Sequence, residues 1–234
     1  IERGGFDCIL GNPPWEEPVV EELQFWSLRF PGLKALPNAE QKRAIEGLAH
    51  DRPDLADALQ RERDFAERTR RILGAGQFPG MGVGDPDLYK AFLWRFAGLC
   101  RASGRIGVVV PRSVFAAKGS ANWRLSVLPG SRTSIVFTKN RNEWLFTDVN
   151  PGYTVALVAL QKEAPVPTLG VQGTYQSLAE LRAGTLESPT SLDLNQLQAA
   201  DELLCIPAIE DASGLRLFSI LISHPPFGDK DRPD

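Results

Sequence analysis

The residues best suited to chemistry lie near the start of the chain, where Phe6-Asp7-Cys8-Ile9-Leu10-Gly11 runs into Asn12-Pro13-Pro14-Trp15. An aryl amine is a poor nucleophile because its lone pair is delocalised into the ring. Acceptors that take hydrogen bonds from the amine hydrogens favour a pyramidal nitrogen and stabilise the positive charge that grows as it attacks. The Asn12 side-chain oxygen and the Pro13 carbonyl are acceptors of this kind. Asn12 precedes a proline, which biases its backbone toward extended geometry, and Pro13 and Pro14 fix their own φ angles. The acceptors are therefore held stiffly. Trp15 adds a flat face for stacking on a heterocycle. The set suits transfer of a methyl group to an exocyclic amine nitrogen, a reaction that needs no strong base because the methylated amine loses its proton to water. The alternative reading, a rigid turn carrying a packed tryptophan, stays open for the tetrapeptide taken alone.

The elements that must position these residues follow from hydrophobic pattern. Residues 6–10 form an apolar run without polar alternation, which predicts a buried strand, so Asn12 falls at its carboxyl end, the edge where open α/β sheets bind ligands. Val19, Val20, Leu23, Phe25, Trp26 and Leu28 predict a helix or lid between residues 16 and 30. Residues 39–73 mix Arg, Asp, Glu, Ala and Leu and predict one or two amphipathic helices broken near Arg52-Pro53. Gly74–Gly84 is a loop. Asp85-Pro86 is read as an N-cap and first-turn proline, with Leu88, Phe92, Phe96 and Leu99 at helical spacing after it and Ser103-Gly104 as the stop. Residues 105–110 predict a strand, 121–128 a short helix, and 134–137 and 153–160 two strands joined closely enough to be antiparallel.

Helices alternating with buried strands imply an α/β protein with a doubly wound sheet. After Ala164-Pro165-Val166-Pro167 the pattern weakens to helices around 177–183 and 195–204 and an apolar run at 215–222. The expected organisation is thus residues 1–165 as the carboxyl-terminal part of one domain, carrying a helical insertion at about 16–84, and 166–234 as a linker and the start of a second region. The chain opens at Ile1 directly before a strand and closes at Arg232-Pro233-Asp234, and both ends read as cuts in a longer protein.

Composition narrows the function classes. Of 234 residues, 43% are hydrophobic, enough for a real core. The net charge of -3 argues against bulk attraction to nucleic acid or anionic membrane, so a nucleic-acid enzyme needs a local basic face or a basic partner domain outside this chain. Cys8, Cys100 and Cys205 are far apart and odd in number, which argues for reduced thiols in a cytoplasmic protein over a disulfide framework. No apolar stretch is long enough to span a bilayer, and no His/Cys/Asp/Glu grouping has metal spacing.

Four features stand in one order: Asn12-Pro13-Pro14-Trp15 after a strand; Asp87-Leu88-Tyr89-Lys90-Ala91-Phe92 opening a helix; Gly104-Arg105-Ile106-Gly107-Val108-Val109-Val110-Pro111; and Leu145-Phe146-Thr147-Asp148-Val149-Asn150 before the apolar strand at 153–160. Over residues 5–163 this series resembles the gamma-type N6-adenine DNA methyltransferases of bacterial restriction-modification and phage-defence systems. The resemblance implies a Rossmann-like sheet of the S-adenosylmethionine-dependent methyltransferase type, with an antiparallel last strand. It implies S-adenosylmethionine as methyl donor, double-stranded DNA as substrate, and adenine turned out of the duplex. Asn12, Pro13, Pro14 and Trp15 would then form the catalytic motif, Trp15 and Phe146 would stack on the base, and Asn12 would also border the donor.

The family's glycine-rich donor loop has no counterpart. The glycines of residues 74–84 follow a charged helix instead of a strand, so the donor-binding half and the target-recognition domain are expected as partners from the remainder of the same polypeptide. The long segment at 16–84 is a second departure.

Residues 90–141 are locally basic, and Arg112, Lys118 and Lys139 are the candidates for DNA phosphates, although scattered solvated charge explains most such residues. Trp26, Trp94, Trp123 and Trp144 read as packing residues. His224-Pro225-Pro226-Phe227 echoes the first motif but lacks its Asn and reads as a proline turn. Two rivals remain: a methyltransferase acting on a glutamine amide or on rRNA, which would use a similar motif, and a noncatalytic binding or assembly module.

Overall fold

The computed structural model describes residues 4–147, 149–164, 166–207 and 209–224. In chain order the elements are β1 (Phe6–Gly11), α1 (Glu22–Ser27), α2 (Asn38–Asp51), α3 (Pro53–Gly74), α4 (Leu88–Leu99), β2 (Cys100–Pro111), α5 (Ala121–Val127), β3 (Arg132–Lys139), β4 (Thr154–Gln161), β5 (Thr168–Tyr175), α6 (Leu178–Gly184), β6 (Thr190–Leu192), α7 (Leu194–Ala200) and α8 (Ala212–Ile222). They divide into two compact units, Glu17–Gln77 and a second made of Ile1–Glu16 with Phe78–Asp234.

The first unit is helical. Phe25, Trp26, Leu33 and Leu59 are its buried centre, with Ile45, Leu48 and Leu55 packed around them. The break between α2 and α3 falls at Arg52, whose φ of -127° and ψ of 68° leave the helical region, and Pro53 then occupies the first turn of α3, where a missing N–H costs nothing. Arg63 pairs with Glu22 at 3.2 Å and links α3 to α1. The helix expected across residues 16–30 is confined to Glu22–Ser27.

The second unit is built on one six-stranded mixed sheet in the order β1-β2-β4-β3-β5-β6. β1 is parallel to β2, β4 lies antiparallel between β2 and β3, β5 is parallel to β3 and β6 is antiparallel to β5. Alternate residues point to one face: Ile106, Val108 and Val110 of β2, Ile135 and Phe137 of β3, Ala156, Val158 and Leu160 of β4, and Leu169 and Val171 of β5. Side chains from α4, α5, α7 and α8, among them Leu93, Trp123, Leu197 and Leu215, complete this core. Because β1, β2 and β3 run the same way, their carboxyl ends and the start of β4 share one edge of the sheet.

The mixed α/β sheet is consistent with the expected Rossmann-like arrangement, and its opposite face is largely open among the described residues. Neighbouring registers set Leu10, Gly107, Ala159, Ser134, Gly170 and Ser191 in a row straight across the sheet. Pro189 closes over Gly170, whose absent Cβ would stand 3.1 Å from it. The Leu10 side chain lies over Gly107, and among the described residues the rest of the row is open and floors a groove of about 600 Å³. Leu10 is 80% exposed there.

Three further expectations are revised. The boundary placed at residue 165 is crossed by the sheet: β5 pairs with β3 from Arg132↔Thr168 onward, so residues 168–192 extend the sheet. The helix stop at Ser103-Gly104 is instead part of β2, which begins at Cys100 and passes Ser103 at a φ of 59°. Asp87, not Asp85, stands at the N-cap of α4, and its carboxylate makes no cap there but pairs with Lys90 at 3.0 Å. Pro165 and the turn expected at 225–227 lie outside the described residues.

Candidate active site

Asn12 leaves β1 at the carboxyl edge with its side chain exposed, while Pro13 is buried. Among the described residues no hydrogen bond engages the Asn12 amide or the Pro13 carbonyl, so both acceptors are free. The segment is anchored on either side of them. The register of β1 on β2 ends at Gly11↔Val108, and a Cβ on Gly11 would meet the Phe96 ring at 3.0 Å, so glycine lets α4 close on the strand end. The Glu16 carbonyl accepts from the Leu88 N–H at 3.1 Å, which places the start of α4 beside the motif.

Trp15 is half-buried and donates through Nε1 to the Val109 carbonyl at 3.4 Å. Its ring stacks on Tyr153, with centroids 6.0 Å apart and planes inclined by 19°. Phe146 meets it edge-on at 5.8 Å and 79°. The structure brings Trp15 and Phe146 together as an edge-to-face pair in direct contact. They are not two parallel plates with room for a base between them. Tyr153, which the sequence reading assigned only to a strand, supplies the parallel face.

The loop carrying Phe146 is organised by Asn140, which is fully buried at the end of β3. Asn140 Nδ2 donates to the carbonyls of Phe146 and Val149, each at 2.9 Å. Its Oδ1 accepts from the N–H groups of Leu145 at 3.2 Å and Phe146 at 3.0 Å. Its backbone N–H donates to the Tyr153 carbonyl at 2.9 Å. A single Asn in a polar stretch carries no sequence signal that separates this role from an ordinary turn. On the β2 side, the Tyr89 hydroxyl and Ser113 Oγ lie 3.0 Å apart, and burial pushes the Tyr89 phenol up to about 12, so it stays neutral.

The basic candidates separate by engagement. Lys118 is exposed and Lys139 half-buried at the end of β3. Arg112 turns inward instead: Nη2 donates to the Ile206 carbonyl at 3.0 Å, and burial lowers its guanidinium from the ordinary value. A second arginine, undistinguished in the sequence, is wholly buried. Arg124 donates to the carbonyls of Leu203 at 2.9 Å, Val114 at 2.7 Å and Ala117 at 3.0 Å, and its Nη2 lies 3.2 Å from Cys205 Sγ. Burial lowers it too, against the raising effect of Cys205. Among the described residues no His, Cys, Asp or Glu side chains gather as they would around a metal, and no described helix is long and apolar enough to cross a membrane.

The adenosine part of a methyl donor finds no built cradle in these residues. β1 ends in Asn-Pro-Pro, not in a glycine-rich turn, and Gly76, Gly80 and Gly84 follow α3 through turns of their own.

No family model matches the chain, and no curated protein matches it. It is similar to several solved structures. The DrdV–DNA complex has a TM-score of 0.47 and 13% identity, with 80% of this chain and 17% of that chain covered. A nuclease-deletion mutant of the Type ISP restriction-modification enzyme LlaGI with a DNA substrate mimic gives 0.49 and 11%, with 89% and 18% covered. A type I restriction-modification system gives 0.48 and 10%, with 99% and 40% covered. The chain spans less than half the length of each of these.

Proposed function

We propose that this chain is the base-activating part of a restriction-modification type enzyme that methylates the N6 amine of adenine in double-stranded DNA. The observation that carries the reading is the pair of unengaged acceptors, Asn12 Oδ1 and the Pro13 carbonyl, held at a strand's carboxyl end beside Trp15 and its ring neighbours. In this reading Asn12 and Pro13 accept the two amine hydrogens, Pro14 stiffens the turn, and Trp15, braced by its contacts with Phe146 and Tyr153, receives the adenine by stacking. S-adenosylmethionine is the proposed cofactor and would supply an electrophilic methyl group; its grip is assigned to residues other than those described. Lys118 and Lys139 are the proposed phosphate contacts, and Arg112 is withdrawn to a structural role.

The sheet supports a methyltransferase-type Rossmann-like fold, since an antiparallel strand, β4, stands between the parallel β2 and β3. The same reading assigns the bare face to the donor-holding remainder of the polypeptide. β1 is a parallel strand at the sheet's edge, and parallel strands are ordinarily covered on both faces. The small side chains of Ala159 and Ser134, between Leu10 and Pro189, would let a covering helix approach closely. The enzyme would work in the bacterial cytoplasm, where its DNA substrate lies.

The test incubates the full-length polypeptide with isotopically labelled S-adenosylmethionine and mixed duplex DNA, beside an Asn12→Ala variant, and reads the digested DNA by mass spectrometry. Labelled N6-methyladenine that disappears with Asn12→Ala is the expected result. Label in protein glutamine or in RNA, with none in DNA, would overturn the DNA reading and favour the amide- or rRNA-directed alternative. Absence of label from every acceptor would leave the binding-module reading.

A further inference from the structure

We infer that Asn140 is a positioning residue for the aromatic site: its side-chain amide sets Phe146 against Trp15 through the 140–153 loop, without touching substrate. The inference rests on the functional reading above for its consequence in catalysis, but its structural half does not.

The geometry carries it. A carboxamide has two N–H donors and an oxygen with two lone pairs. In Asn140 all four are taken up by the backbone of one loop, and two of the four bonds grip a single residue, Phe146, by its N–H and by its carbonyl. The remaining two hold Leu145 and Val149. The side-chain amide therefore fixes Phe146, while the backbone N–H at 140, which any residue but proline supplies, holds the Tyr153 carbonyl. Side-chain chemistry explains why asparagine serves. Aspartate has nearly the same shape and keeps the acceptors for Leu145 and Phe146, but it sets a carboxylate against two carbonyl oxygens. Serine keeps one donor and is too short to bridge both sides of Phe146. The strands below the loop do not depend on the amide, since their register runs to Lys139↔Thr154 through ladder bonds of their own.

The test is a pair of difference measurements on the full-length protein. The difference in near-ultraviolet circular dichroism between wild type and Trp15→Phe reports the surroundings of the Trp15 ring without any substrate. Repeated in an Asn140→Asp background, that difference band is expected to collapse to a minor fraction, while far-ultraviolet dichroism and cooperative unfolding persist. It should partly return as pH falls, because protonating the introduced carboxyl restores one donor. With duplex DNA and labelled S-adenosylmethionine, kcat/KM should drop at least tenfold with Asn140→Asp, and the drop should shrink to less than threefold when Phe146→Ala is already present, since Asn140 acts through that ring. An unchanged Trp15 band, or additive losses in the double variant, would overturn the inference. If Asn140→Asp shows no cooperative unfolding, Asn140→Ser takes its place, with an intermediate loss of the band expected and an intact band again decisive against it. Failure of the functional reading alone would show as no methyl transfer by wild type with the spectroscopic result intact.

Discussion

Two loops meet at the carboxyl edge of the sheet and are held in opposite ways. After β1, Asn12–Trp15 is stiffened covalently: two prolines fix the backbone, and the Asn12 side chain is left without a partner among the described residues. After β3, the 140–153 loop has a proline only near its far end, Pro151, and Asn140 engages its entire amide to hold the rest. The same residue type thus does two incompatible jobs a short distance apart in the fold. A polar group reserved for another molecule has to be held through its backbone, because any hydrogen bond it makes inside the protein competes with the one it must make outside. A group that organises backbone must be saturated and buried, because a half-satisfied buried amide costs more than it contributes.

The contrast can be broken at several points. The largest effect is expected for Asn12→Ala, with kcat lowered by roughly 10²–10³, as for loss of one preorganised hydrogen-bonding partner at a reacting centre. Unfolding free energy should move by no more than about 0.5 kcal/mol, because the side chain is exposed. Labelled-methyl transfer and urea unfolding on one preparation would check both halves, and a destabilised Asn12→Ala would erase the distinction between the loops. Next, Arg124→Met leaves the buried Val114 carbonyl and the part-buried Leu203 and Ala117 carbonyls without their donor and should cost about 3 kcal/mol of stability, read as a lower urea midpoint at unchanged slope. Tyr153→Leu removes the parallel neighbour of Trp15 and should weaken DNA binding by about 1 kcal/mol, a roughly fivefold higher Kd in a filter or anisotropy titration. The smallest effect separates the basic residues. Lys118→Gln should reduce the slope of log affinity against log salt by about 0.9, whereas Arg112→Gln should leave that slope unchanged and lower stability instead.

The sequence made the free groups legible and concealed the engaged ones, for a physical reason. Asn12 was visible because prolines on its carboxyl side and an apolar strand on its amino side are local signals. Asn140 and Arg124 act through backbone groups that approach only after folding, and nothing beside them in the chain distinguishes them from turn or surface residues. Tyr153 was hidden by being a good strand residue. β5 was missed because Gly170 and Gly173 interrupt the alternation of Leu169 and Val171, so its strand character comes from pairing with β3 and not from its own composition. The bare sheet face was illegible too: Gly107, Ala159 and Ser134 belong to separate segments, and only the register lines them up.

The placement of the helical unit inside the β1–β2 connection has a consequence for how the chain reaches this state. Cys8 must find Arg105 across nearly half the chain, and closing a flexible loop of that length costs about 4 kcal/mol of entropy. Glu17–Gln77 is stabilised by contacts among its own neighbouring helices, so it can collapse before the strands meet. Its collapse shortens the effective tether and lowers the closure cost by about 1 kcal/mol. The inserted helices then act on the order of folding events, bringing an edge strand within reach of its partner early in the search.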